Sequence, residues 1–483
     1  MKKFTLHSIL AAALLLTASC NKWLDVKPKD RTIEEQLYKS EDGFYTALNG
    51  VYLELCSQNL YGGQLTMEML EALAQRYNTS ATDHYLRTVT SYSYQESAVK
   101  SKVDGIWQGL YKSISNLNRM MLVIDERKSL FASERNYQLL KGQVLGLRAF
   151  LHFDLLRLFG PMYNTVDSTA DAIPYYDHYT VEYLPFLPAS EVVAKVLADL
   201  DEADALLSVS DPVITEGTLF SAAPDGSSNK FRYRNLAMNY YAVQLLKARA
   251  ELYRGNKTAA LEVVKQALPD VEKWFPFVNV NAVTDNINPD KVFSSELLFA
   301  QFDARLYEKY NNYYAPALNA RSLLTAQASR LNTTYESNEN DFRFKSVFWR
   351  IPDNNAVTVK CFFKYSDITD KNRPYRQLLP LMRKTELYYI AAECEPSAPL
   401  AAGYLNTVRK ARGLPDLPSN ANLTTEIRKE YLKEFYGEGQ LFFYYKRNNT
   451  ASIPNGSSAS GNVAMNASKY VLQIPDSELA YRN

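Results

Sequence analysis

The sequence predicts a mainly α-helical protein, a scaffold of antiparallel helix hairpins carrying an extensive face of irregular loops and few short strands. Three observations predict it. Long stretches place apolar residues at three-and-four spacing. Two stretches set small residues around a tight turn, as a pair of helices folding back on itself requires. Between these lie connections that are too long and too aromatic to be simple turns.

In chain order, Lys2 and Lys3 precede a short apolar run, Ile9 to Leu16, that is too brief to span a bilayer, so residues 1–19 read as a cleaved secretory signal. Leu16-Thr17-Ala18-Ser19-Cys20 resembles a lipobox, with small residues before a Cys whose thiol would receive diacylglycerol; Thr17 stands where Leu is usual. Each buried acyl CH2 contributes about 0.8 kcal/mol, so two or three chains on Cys20 would make membrane retention effectively permanent. No later apolar run is long enough for a transmembrane helix. The mature chain, 20–483, is expected to form one unit, with helices mainly in 32–160, 188–210, 234–270 and 383–447.

From Ser133 to Gly160, apolar residues at Tyr137, Leu140, Val144, Leu147, Leu151, Leu155 and Leu158 line one face of a helix that Gly160-Pro161 stops. A second helix is expected after Pro188, with Ser190 as its N-cap and Val193, Val196, Leu200 and Leu207 on one face. In Leu245 to Leu268, Ala248, Ala250, Ala259 and Ala260 permit close helix approach and Gly255-Asn256 supplies the turn, the arrangement of a tetratricopeptide helix pair. Leu387 to Leu414 repeats the pattern around a turn near Pro396 to Pro399. Irregular connections are expected around 75–95, 165–187, 210–231, 274–314, 332–370 and 448–470, and ordered loops of such length are usually functional.

Composition excludes several classes. Lys and Arg total 54 against 53 Asp and Glu, so no net field concentrates the protein on nucleic acid. With Cys20 lipidated, Cys56, Cys361 and Cys394 remain, an odd number without CxxC spacing, and read as small buried apolar residues. Outside the signal the histidines are His84, His152 and His178, and no HExxH, GxSxG, Walker or GxGxxG sequence occurs. No catalytic residue, metal ligand or cofactor is therefore expected, and His152, inside a strongly periodic helix, is expected to pack. The unusual count is 35 Tyr, which with 22 Phe and 4 Trp makes the chain 13% aromatic. A flat apolar ring with a polar tip suits both packing and stacking against a wet ligand.

The start of the mature chain, Cys20-Asn21-Lys22-Trp23-Leu24-Asp25-Val26-Lys27-Pro28, followed by Tyr38-Lys39-Ser40-Glu41-Asp42-Gly43-Phe44 and Leu48-Asn49-Gly50-Val51-Tyr52, resembles the N-terminal block of the SusD/RagB family. Trp107 with Tyr111, Ile114 and Asn118 resembles the next helix, and Arg148-Ala149-Phe150 through Arg157-Leu158-Phe159-Gly160-Pro161 the most recognisable motif. Arg428-Lys429-Glu430, Glu434-Phe435, Glu438-Gly439 and Ile474-Pro475-Asp476-Ser477-Glu478 follow in the family's order. Leu441 and Tyr444 depart from it, standing where many members carry Arg and Asp, so no salt bridge is carried over there. The resemblance implies about eight tetratricopeptide-type helices with a second face of loops. It further implies a lipid-anchored protein on the outer-membrane surface that binds a nutrient polymer, mostly a glycan, without turning it over. The partner so implied is a SusC-like TonB-dependent transporter. Three readings compete with it: a peptide or other nutrient binder on the same scaffold, a ligand-free tetratricopeptide interaction protein, and a surface hydrolase.

A sugar offers C–H faces to an aromatic ring and hydroxyls to short polar side chains, so a binding loop should interleave the two. Three stretches do so, around 77–95, 307–314 and 341–350. Their candidate ligand-binding residues are Tyr77, Asn78, Asp83 and Tyr85, then Asn312 and Tyr313, then Trp349. Trp107 is assigned to the core and Trp23 to the anchor arm.

Overall fold

The computed structural model describes residues 37–164, 166–226, 229–353 and 357–482. The signal, Cys20 and Trp23 lie outside them. Helices dominate the described residues, and the strands are short and pair in twos.

The N-terminal half is built on α1 (Glu41–Leu55), α2 (Ser97–Ile124), α3 (Glu134–Phe159) and α4 (Ala189–Ser210). Helix α3 runs between the cap and the stop read from its sequence: the Ser133 side chain accepts from the Asn136 N–H, and Gly160 is already extended. Nearly all of α3 is buried, because α2 and α4 pack on it from two sides. Helix α4 begins two residues earlier than expected, so Ser190 lies within the first turn and caps nothing. Pro188 occupies the cap position instead, and the Ala189 N–H is satisfied by the Ala170 carbonyl (3.0 Å).

One polar knot joins these helices. The Arg148 guanidinium forks onto Asp199 of α4 (2.7 and 2.6 Å) and donates to Asn118 Oδ1 of α2 (3.0 Å), while the Asn118 amide donates to the carbonyls of Tyr176 (2.8 Å) and His178 (3.1 Å). His152 packs as expected: its Nε2 accepts from the Tyr176 N–H (3.0 Å), its Nδ1 meets the Arg148 carbonyl (3.0 Å), and its ring stacks on Tyr175 at 3.9 Å. Burial pushes its pKa down to about 3, so the ring is neutral.

The two hairpins form where the alanines placed them. Helices α5 (Tyr240–Tyr253) and α6 (Lys257–Trp274) turn at Gly255, whose φ of 81° favours glycine, and the Asn256 side chain caps α6 through the Ala259 N–H (3.2 Å). Between the hairpins lies α7 (Leu306–Tyr313), followed by α8 (Lys384–Cys394) and α9 (Ala398–Ala411), which make the second pair. The expected irregular stretch 274–314 also holds a strand, Leu297–Phe302, antiparallel to Leu378–Arg383. Both strands are almost wholly buried, so neither shows the alternation that would have revealed it.

Helices α10 (Leu423–Glu434) and α11 (Gln440–Arg447) close the chain onto this core. Glu434 is fully buried and accepts from Arg383, from Arg412 (2.7 and 3.1 Å) and from Arg343 (2.8 Å). These arginines also bind Glu438, Glu296, Glu430 and Asp341, so a continuous buried charge network replaces apolar packing here. The two departures on α11 are core residues: Leu441 is buried, and Tyr444 stacks on Tyr431 at 4.3 Å. On the same helix the Lys446 ammonium donates to the carbonyls of Arg157 (2.8 Å), Leu158 (3.2 Å) and Gly160 (2.8 Å), satisfying the orphan end of α3. The final motif docks on α2, Asp476 pairing with Lys100 (2.8 Å) and Glu478 accepting from the Trp107 indole (3.3 Å). Cys361 and Cys394 are buried as expected, whereas Cys56 is half-buried.

Candidate functional site

The predicted site residues separate into two groups according to what covers them. Tyr77 is interior, not a stacking platform. Its hydroxyl donates to the Met67 carbonyl (2.5 Å) and pairs with the Tyr314 hydroxyl (2.8 Å), and burial holds it far above the usual phenol range. Trp349 is interior as well, lying on a two-residue strand with its ring 4.7 Å from Phe362 and edge-on to Tyr436 at 4.8 Å. Both were placed on loops; Tyr77 is on one and Trp349 on a two-residue strand, and an aromatic cluster with Tyr314, Phe362 and Tyr436 packs against them. Tyr313 is the last residue of α7 and is buried too, its ring covered while its hydroxyl donates to Glu68 Oε2 (2.9 Å).

Tyr85 is different, with 37% of its surface exposed. Its backbone N–H is pinned to the Arg321 carbonyl (3.2 Å), and its ring stacks on the His84 imidazole at 5.3 Å and 16°. The Lys102 ammonium of α2 stands 5.7 Å from the ring centroid. Lys102 in turn pairs with Glu68, the same carboxylate that accepts from Tyr313 and from Gln64 (3.0 Å). Exposed Asp83, two residues before Tyr85, pairs with Arg321. Asn312 is exposed beside Tyr313. Asn78 spends its side-chain oxygen on the Ser80 N–H (3.1 Å) and its own N–H on the Thr325 carbonyl (2.8 Å), which fixes the loop.

The structure therefore leaves Asp83 and Tyr85 at the surface, covers Tyr313 with its hydroxyl on buried Glu68, and places Tyr77 and Trp349 in the interior. It adds Glu68, Lys102 and Arg321, which sequence reasoning missed. Lys102 had no local signal, since it occupies an ordinary polar position of a long amphipathic helix and acquires its role only through Glu68. The result is a partly exposed tyrosine ring with His84 stacked on it, the Lys102 ammonium over it and the Asp83–Arg321 pair nearby, and with no hydrogen bond from the Tyr85 hydroxyl among the described residues. A second aromatic concavity, about 360 Å³, lies between α2 and the loop 176–183, lined by Trp107, Tyr111, Tyr176, Tyr179 and Tyr183.

A helical scaffold of this kind bearing an aromatic loop face defines the SusD-like class. Residues 22–222 match the SusD-like family described as starch-binding, associating with the outer membrane, and residues 227–480 match the SusD family. The chain belongs to the SusD/RagB family. A curated relative, SusD-like protein P25 of Formosa agariphila, is 23% identical over 294 residues, 58% of this chain and 48% of the relative; SusD-like protein P2 of the same organism is 23% identical over 42% of this chain and 38% of its own length. The chain thus spans half or less of the length of these curated relatives. Among solved structures, a SusD superfamily protein from Bacteroides thetaiotaomicron superposes with a TM-score of 0.70 at 18% identity, covering 91% of this chain and 98% of its own. A SusD-like carbohydrate binding protein from Bacteroides vulgatus gives a TM-score of 0.67 at 20% identity, covering 91% and 96%. These likenesses establish the fold. Among the described residues no helix is long and apolar enough to cross a membrane.

Proposed function

We propose that the mature chain, one unit anchored in the outer membrane through acylated Cys20 and exposed at the cell surface, binds an oligo- or polysaccharide at the Tyr85 surface. It hands the ligand, chemically unchanged, to a SusC-like TonB-dependent transporter. The observation that carries the binding reading is the exposed Tyr85 ring, backed by His84 and flanked by Lys102, Asp83 and Arg321. A pyranose laid on that ring presents C–H groups to its face and hydroxyls to the flanking polar groups.

Affinity electrophoresis against a polysaccharide panel tests this. At least one glycan should retard the protein, and Tyr85→Ala should weaken that glycan several-fold, since aromatic contacts contribute about 0.5–1.5 kcal/mol beyond area burial and 1.4 kcal/mol is tenfold. The same substitution should leave the melting temperature nearly unchanged, and Tyr183→Ala in the second concavity should leave affinity unchanged. Trp349→Ala should instead destabilise the fold by about 3–5 kcal/mol. Retardation by no glycan would remove the reading in favour of a peptide ligand; loss of binding in Tyr183→Ala with none in Tyr85→Ala would move the site to α2. For the anchor, Cys20→Ala should release the protein from washed outer membranes in a strain lacking the transporter, and persistence there would mean another anchor holds it.

A further inference from the structure

A pocket of about 210 Å³ opens between the start of the loop that bears Tyr85 and helix α10. It is smaller than the roughly 300–1,000 Å³ of drug-sized sites, so it takes one ring or one substituent and not a chain. Its lining has four cations, Arg76, Arg330, Arg428 and Lys429, and no Asp or Glu.

Two of these charges lack a carboxylate partner. Arg330 directs its donors only at backbone carbonyls, those of Asn455 (3.0 Å), Ser458 (2.9 Å) and Gly461, which position the guanidinium without neutralising it. Arg428 is exposed and has no hydrogen bond or ion pair among the described residues. The pocket also contains Tyr445, a residue only 1% exposed; its hydroxyl lies in the fields of Arg76 and Arg428 and makes no hydrogen bond among the described residues. The ring of Tyr436 is covered by the Arg76 guanidinium at 4.2 Å, and Leu331, Leu432 and Pro454 supply apolar wall. A hydroxyl donor at the pocket wall and a free guanidinium, set in a lining with four cations and no carboxylate beside apolar surface, are matched by an anionic group carried on an otherwise apolar face.

We propose that this pocket receives an anionic group of the ligand, the carboxylate of a uronic acid or a sulfate ester. The inference rests on the glycan-binding reading and adds the ligand's chemical class. Arg428 and the Tyr445 hydroxyl donate to its oxygens, and the loop 75–95 contributes both to this pocket and to the Tyr85 surface, so that one polymer spans the two.

The test is isothermal titration of the full mature chain at low ionic strength with glucuronate, glucose 6-sulfate and unmodified glucose. At least one of the two anionic sugars should bind and glucose should not, and which anion binds identifies the source of the charge. Arg428→Ala should weaken that anion about tenfold, the loss of one charge-assisted pair, with an unchanged melting temperature because Arg428 supports nothing else. Tyr445→Phe should weaken it several-fold. Binding of neither anion, equal binding of glucose, or an Arg428→Ala variant with undiminished affinity would each overturn the proposal. Tyr85→Ala should leave binding of these small probes unchanged. Loss of polymer binding to the wild-type protein together with intact anion binding would therefore count against the Tyr85 surface alone.

Discussion

Glu434→Gln probes the feature on which the C-terminal half depends. The wild-type carboxylate accepts from three arginines at once, and all four side chains are almost completely buried. Those arginines hold it well below the usual carboxylate range in spite of its burial. Glutamine keeps the shape and one acceptor oxygen but points an N–H2 at a guanidinium, which removes about two charge-assisted bonds, each worth roughly 1.5–3 kcal/mol. Breaking one partner of a buried ion pair costs about 3–5 kcal/mol by direct experience of such pairs, so about 4 kcal/mol is expected. At about 2.1 cal/mol/K per residue, a chain of this length unfolds with an entropy of about 1 kcal/mol/K, and the melting midpoint should fall by about 4 °C. Acid dependence supplies a second reading. A carboxylate depressed in the fold contributes stability that is fully present above its unfolded value of about 4.3 and is lost as pH falls below it, so the gap between wild type and variant should narrow on acidification. Calorimetry at pH 7 and in the pH range 3 to 5 measures both. An unchanged midpoint at pH 7, or a gap that widens in acid, would refute the reasoning.

Two further expectations come from single residues. Gly439→Ala should destabilise the fold by at least about 1–2 kcal/mol, because φ is 72° there and a Cβ would fall 2.2 Å from the Leu65 carbonyl oxygen; a denaturation midpoint equal to wild type would mean that the turn can move away. His152 should remain neutral, as the Nδ1–H tautomer, down to about pH 4, since its folded value is about 3 and its unfolded value about 6.5; stability tied to it is therefore complete above pH 6.5 and lost as pH falls toward 3. Nitrogen-15 NMR of labelled histidine reads this directly, and titration of His152 near pH 6 would contradict it.

The helical architecture was legible because its signals are local. Apolar spacing gave α3 to within a residue, and Gly255-Asn256 gave the hairpin turn, since periodicity and turn chemistry are properties of neighbouring residues. Two elements escaped for the opposite reason. The strands Leu297–Phe302 and Leu378–Arg383 are buried on both faces, so they lack alternation, and the Glu434 network joins residues far apart in sequence that look like ordinary solvated charges one at a time. The candidate site was half legible. Loop location and composition brought Asp83 and Tyr85 into view, but neither says which rings other loops will cover, and Tyr77 and Trp349 were covered.

The partners of the tyrosine hydroxyls explain both the aromatic richness and that failure. A loop leaves many backbone carbonyls without the helix or ladder donors that would satisfy them, and a buried orphan carbonyl is costly. Tyrosine repairs this from a distance, because it buries a ring and delivers one O–H about a side chain's length away. Tyr92 donates to the Leu73 carbonyl (2.8 Å), Tyr94 to that of Lys469 (2.6 Å), Tyr365 to that of Gly437 (2.8 Å) and Tyr470 to that of Thr450 (2.7 Å), each tying a loop to another loop or to a short helix. Tyr77 does the same at Met67. A chain with so much irregular backbone needs many such braces, so most of its tyrosines are structural by necessity, and interleaving with polar residues marks braced loops as well as binding ones. An unspent hydroxyl is necessary for the second role but not sufficient, since Tyr45, Tyr241 and Tyr253 carry one too. Tyr85, exposed, and Tyr445, at the wall of an acid-free pocket, make no hydroxyl hydrogen bond among the described residues, and they are the tyrosines on which the two proposed contacts rest.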